Sequence, residues 1–171
     1  MRALSLTQPW ASLVALGVKK IETRGFPTSH RGPLAIHATR EKPRWSDDAE
    51  VRAAIDAALA HHGYETSAGL LRPSDLLLPR SAVLATCVLA ACVSTDGDVS
   101  EALAHSEPAE PLFGDWSPGR WLWLLADVVR FPRPVLCRGA LGLWEWDGVS
   151  RAPSPGKRRT KAAPSLIPEA T

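Results

Sequence analysis

Lys19, Glu22 and Arg24 stand three and two positions apart in the stretch Gly-Val-Lys-Lys-Ile-Glu-Thr-Arg-Gly, residues 17–25. A carboxylate set between two cations can orient a guanidinium for a phosphate. It can also act as a general base toward a bound water. His30 and Arg31 follow closely, and histidine is the side chain whose ordinary pKa lies nearest neutrality. If residues 20–24 form a strand, Lys20, Glu22 and Arg24 share one face while Ile21 and Thr23 share the other. Ile21 then points to the core and the charged three face outward or into a cleft. Lys19 falls at a helix-to-strand junction, where strand period says nothing of its direction.

Charge is unevenly distributed around this stretch. Residues 148–171 carry five bases and one acid, so residues 1–147 hold 15 bases and 17 acids and are slightly acidic. Within them, Gly17 to Arg44 carries seven bases against two acids. A basic patch on a near-neutral body suits a phosphate-bearing partner better than a uniformly basic surface does.

These side chains need elements to hold them. At 171 residues with 45% apolar content the chain is expected to form one domain with a real core. Leu4 to Leu6 reads as a short strand. Pro9 and Gly17 bracket a two-turn helix whose Trp10, Leu13 and Val14 make an apolar face. Gly32-Pro33 marks a turn and Leu34 to Ala38 a further strand. Asp47, with Glu50 three residues on, predicts a capped helix whose buried face is Val51, Ala54, Ile55, Ala58 and Leu59, ending at His61-His62-Gly63. Two adjacent histidines point about 100° apart on a helix, and with no third ligand in view no metal site is expected. Ala82 to Val93 reads as a buried strand. Residues 98–119, with three Pro, two Gly and five acids, read as loop. Trp121 to Val129 has a strand pattern with Trp121, Trp123 and Leu125 on one face, and Gly142 to Trp146 closes the series after Pro132 and Pro134. Residues 148–171 read as a basic, Pro-rich, disordered tail. Strands in irregular order with early helices predict a mostly β, α+β fold: a small barrel with inserted helices.

Cys87, Cys92 and Cys137 are an odd set without CxxC spacing, which argues against disulfides or zinc and fits a reducing cytoplasm. Five residues apart, Cys87 and Cys92 are expected on opposite faces of one strand. No apolar run approaches the roughly 20 residues of a membrane span. The first nine residues lack the apolar core of a signal peptide, so no leader is expected.

Leu4 to Ala38 resembles the first part of an ASCH domain, named for the activating-signal cointegrator. The family pattern G-x-K-x-x-E-x-R is met by Gly17, Lys19, Glu22 and Arg24. Gln8-Pro9-Trp10 and His30-Arg31-Gly32 match its cointegrator-like branch, and Phe113 to Trp146 resembles the closing strands of bacterial members. The resemblance implies a PUA-like β-barrel over residues 1–147 with a basic cleft beside the first helix that binds nucleic acid, RNA before DNA, with no cofactor. Gln8, Lys19, Glu22, Arg24, His30, Arg31 and Trp116 are the implied binding residues. Lys19, Arg24 and Arg31 would contact phosphates. Trp116, in a Gly/Pro loop, would stack a base, whereas Trp10 belongs to the apolar helix face.

The resemblance also implies an alternative. Some small ASCH proteins are amidohydrolases on N4-acetylcytidine, and nuclease activity is associated with others. The amidohydrolases are similar at Gly17, Lys19 and Arg24 but carry Thr where this chain has Glu22. A Thr beside a Lys can be a nucleophile, whereas Glu can only activate water. A metal-independent hydrolase would draw on Lys19, Glu22 and His30. A third reading, a protein-binding adaptor, would use the tail and not the cleft.

Overall fold

The computed structural model describes residues 1–44, 46–64, 78–104 and 106–148. The tail expected from 148 onward therefore lies, from residue 149, outside the described residues.

Six strands form one mixed sheet: β1 (Arg2–Leu6), β2 (Ile21–Arg24), β3 (Gly32–Ala38), β4 (Ala82–Ser94), β5 (Trp121–Leu136) and β6 (Leu143–Glu145). Their order is β2-β5-β4-β3-β1-β6, with β1 and β3 parallel and every other pair antiparallel. The mostly β, α+β class expected from the sequence is thus the class observed, with the sheet curled into a half-barrel. Three register shifts along β4 and β5 supply local bends, since an extra residue on one strand bends it and increases its twist.

Alternation sorts the side chains onto two faces. On β1 and β3, Leu4, Leu6, Leu34 and Ile36 pack into the main core with Trp123, while Ala3 and Ala35 join Val83, Cys137 and Trp146 behind the sheet. Helix α1 (Trp10–Ala15) lies on the first face. It is buried nearly all round, because Ala11, Val14 and Ala15 meet the sheet and Leu13 meets α2 (Ala49–His61) and the 3-10 turn Glu110–Phe113. Ile55 and Leu59 anchor α2 there, each contributing roughly 1.5–3 kcal/mol of burial before entropy is counted. A third helix, α3 (Ser100–Ala104), covers Ile21 and Leu122 through Ala102.

Four local expectations are corrected. The cap of α2 is Asp48, not Asp47: its carboxylate accepts from the Glu50 and Val51 backbone N–H groups, and the helix begins one residue later. β5 does not stop near Val129 but runs through Pro132 and Pro134 to Leu136. β2 covers it only from Trp121 to Leu124, so both prolines sit where one edge is open, and no β4 partner is registered between Arg130 and Val135. β3 likewise takes in Gly32 and Pro33. β1 begins pairing only at Leu34, so Pro33 faces no partner on that side. Cys87 and Cys92 pack against the same core cluster rather than opposite faces, because a register shift between Leu89 and Ala91 inserts a residue and restores parity.

Candidate functional site

Gly17 turns the chain out of α1. Its φ of +75° suits glycine at the position after a helix, and the Val18 and Lys19 N–H groups then both donate to the Leu13 carbonyl at 3.0 and 3.1 Å. This tight exit drives the Lys19 side chain inward. The residue is 1% exposed, and its ammonium donates to the carbonyls of Ile21 and of Phe113, the latter at 2.7 Å. Glu22 Oε2 lies 3.6 Å from Lys19 Nζ, and the Trp10 ring centroid 5.9 Å from it.

Glu22 then links Lys19 to Arg24, whose Nη1 lies 3.5 Å from Glu22 Oε1. The Arg24 guanidinium rests over the Phe26 ring at 5.2 Å, and Phe26 meets Trp123 edge-on at 5.7 Å. The Arg24 side chain is 26% exposed, and its buried Nε has no hydrogen-bond partner among the described residues. Of the two family cations, Arg24 is partly exposed, whereas Lys19 is buried and does not line the adjacent cleft.

Beside this chain of charges opens a cleft of about 370 Å³. Trp10, Val51, Leu112 and Phe113 form its apolar wall, and Glu22, Thr23, Ser46 and Asp115 its polar lining. Glu22 and Thr23 share the cleft although they alternate on β2. The segment after the 3-10 turn wraps the strand edge, so that Asp115 N–H donates to Thr23 Oγ1 at 3.0 Å. The wrap needs Gly114, where a Cβ would sit 2.8 Å from Thr23 Cγ2. Hydrogen bonds from Ser117, aided by the Arg120 charge, hold the Asp115 carboxyl below its usual range.

The expected basic cleft is therefore corrected: its lining holds two carboxylates and no Lys or Arg among the described residues. Gln8, which the resemblance puts at the ligand, has a fully buried side chain that accepts from Ser12 N–H at 3.1 Å and donates to the Pro79 carbonyl at 2.6 Å. His30 and Arg31 fold onto their own turn. His30 contacts Thr28 and the Pro33 carbonyl, Arg31 donates to the Thr28 and His30 carbonyls, and neither lines the cleft. Trp116 is half-buried against Ile21 and Leu122, with its indole N–H given to Pro111. Its ring is also absent from the cleft lining.

One residue that no motif singles out ties the site together. Glu110, fully buried, accepts from the Lys20 and Ile21 backbone N–H groups, each at 2.8 Å. Burial raises its carboxyl above the ordinary value, opposed by those two hydrogen bonds and by the charges of Lys19 and Lys20. Only its place in an acid-rich loop was visible in the sequence, and nothing there set it apart from its neighbours.

A family model for the ASCH domain matches residues 4–132. The chain belongs to the ASCH domain family. Activating signal cointegrator 1 from Homo sapiens is 48% identical over 50 residues, and its Mus musculus counterpart 46% over 50 residues. Each match covers 29% of this chain and 9% of the relative's length. An ASCH protein from Zymomonas mobilis has a solved structure that aligns over 79% of this chain and 72% of that chain, at 18% identity and a TM-score of 0.42. A tyrosine-to-phenylalanine variant of it aligns over 79% and 74%, at 19% identity and a TM-score of 0.43.

Proposed function

We propose that this ASCH domain binds single-stranded nucleic acid, RNA in preference to DNA, placing one base in the cleft and a neighbouring phosphate on Arg24. The observation that carries the reading is the ion-paired chain Lys19–Glu22–Arg24, whose central carboxylate lines an aromatic-walled cleft and whose outer member, Arg24, is partly exposed beside it. Lys19 and Glu110 build the cleft, Glu22 aims Arg24, and Arg24 supplies the charge. Trp10 and Phe113, 6.4 Å apart and tilted by 55°, offer the apolar surface against which a base can rest. The three free cysteines suit a reducing compartment, and we place the protein in the cytoplasm.

The test is binding of a short single-stranded RNA titrated against salt. Affinity should fall with salt, and Arg24→Ala should weaken binding and reduce the log–log slope by roughly one phosphate contact, about 0.7 for a single strand. Salt-independent binding, or an Arg24→Ala protein that binds as before, refutes the reading.

The hydrolytic alternative has one observation in its favour: Glu22 lines the cleft where a substrate and a water could meet. Lys19 is spent on two carbonyls, so the general base would be Glu22 acting on water. Conversion of N4-acetylcytidine or of an RNA oligomer, abolished by Glu22→Gln with binding retained, would establish it.

A further inference from the structure

We infer that the cleft selects guanine, and that Glu22 reads its Watson–Crick edge. The inference rests on the nucleic-acid reading above and names the base it takes.

The charged groups that line the cleft are carboxylates, which only accept. Among the described residues its side-chain polar groups are two carboxylates, two hydroxyls and the indole N–H of Trp10, with no Lys, Arg, His, Asn or Gln. Both hydroxyls and one of the two carboxylates are partly engaged already. Thr23 Oγ1 accepts the Asp115 N–H, Asp115 Oδ1 receives the Ser117 N–H and hydroxyl, and Ser46 Oγ accepts the Asp48 N–H.

Glu22 differs. Its side chain is only 10% exposed, and its nearest cations lie at 3.5 and 3.6 Å. Those distances exceed the roughly 2.7–2.9 Å of a charge-assisted hydrogen bond. Lys19 and Arg24 thus offset the cost of burying the charge while leaving lone pairs on both oxygens for closer donors.

A carboxylate with a lone pair open on each oxygen matches two parallel N–H donors, as it does with arginine. Guanine alone among the four bases offers that pair, N1–H beside the N2 amino group. Cytosine and adenine set one amino donor beside a ring-nitrogen acceptor, and uracil flanks its single N–H with two carbonyls. Each of these three would press an acceptor against the carboxylate, leaving both unsatisfied. The apolar wall of Trp10 and Phe113 accepts any base, so the discrimination falls to Glu22.

The experiment uses the full chain and short oligouridylates carrying one central guanosine, inosine, adenosine or cytidine, beside the all-uridine strand. The guanosine strand should bind tightest, by roughly tenfold or more. The inosine strand, which keeps N1–H and lacks the N2 amino group, should fall between it and the others. Glu22→Gln should remove the preference, since its amide turns one acceptor into a donor. Because the result is a ratio among strands, affinity contributed by bases elsewhere in the chain cancels. Equal binding of all strands overturns the guanine inference and leaves the nucleic-acid reading standing. Guanosine and inosine strands that bind alike overturn the two-donor contact, and binding of no strand overturns both readings. If Glu22→Gln fails to fold, the comparison of guanosine with inosine on the native chain still decides.

Discussion

The Lys19 ammonium donates to the Phe113 carbonyl at 2.7 Å, a bond between residues 94 positions apart. It joins the exit of α1 to the 3-10 turn, whose Phe113 lines the cleft. With the Glu110 carboxylate on the Lys20 and Ile21 N–H groups, the same two segments are tied in both directions: cation to carbonyl, and carboxylate to amide. The family lysine is here a buried cation, ion-paired through Glu22 to the partly exposed Arg24.

Lys19→Met should be strongly destabilising. It leaves the Ile21 and Phe113 carbonyls without their donor and removes one of the two cations beside Glu22, at a cost of roughly 2–4 kcal/mol. Lys19→Arg should not rescue it, because a planar guanidinium cannot replace a compact ammonium converging on two carbonyls. Urea unfolding midpoints test this, and a Lys19→Met protein as stable as the native chain would show that the buried cation holds nothing.

Glu110→Ala strands two backbone N–H groups and should cost roughly 2–4 kcal/mol. Glu110→Gln keeps one acceptor and turns a donor toward the other N–H, so it should lose less. Hydrogen exchange offers a local readout: the Lys20 and Ile21 amides should lose protection in both variants before the β3 and β4 amides do.

Asp48→Ala should cost about 1 kcal/mol, the usual value of a lost helix N-cap. Asp47→Ala should change stability by less than about 0.5 kcal/mol, because the α2 cap bonds come from Asp48 alone. Thermal midpoints of the two proteins compared side by side check it, and the reverse order would restore the cap expected from the sequence.

Stability should fall as pH drops below about 6.5, through His37. The ring is buried at the back of the sheet, where Trp144 N–H donates to Ser5 Oγ at 3.1 Å and Ser5 lies 3.1 Å from His37 Nδ1. His37 Nε2 faces the Cys137 carbonyl at 3.3 Å. This chain is complete when Ser5 donates to a neutral ring and Nε2–H donates to Cys137. Burial, opposed by the Cys137 contact, lowers the His37 pKa below 6.5. The unfolded chain therefore takes up the proton first. The stabilising contribution is whole above the unfolded pKa and is lost as pH falls toward the folded one, with a slope of at most about 1.4 kcal/mol per pH unit. Melting temperature measured from pH 7.5 to 5.5 should show the decline, and His37→Phe should flatten it. An unchanged slope in that variant would assign the effect elsewhere.

What the sequence by itself determined is local or periodic. The parity of β1 and β3, the buried face of α2, the Trp123 and Leu125 face of β5 and the Gly17 turn depend on neighbours a few residues away, and all could be read before the fold was known. The spacing of Gly17, Lys19, Glu22 and Arg24 carried the family, and the Glu22–Arg24 pair followed from strand period. Only the tertiary structure decided what those residues do. Lys19 is buried because Phe113, far along the chain, brings a carbonyl to it, and Glu110 matters because two amides at the start of β2 lack a strand partner there. Glu22 and Thr23 share a cleft because a distant loop wraps a strand edge, and Cys87 and Cys92 share a core because a bulge shifts parity between them. Sequence period records which way a side chain leaves its own strand. Whether it meets solvent, a carbonyl or a cleft depends on segments that no local spacing encodes.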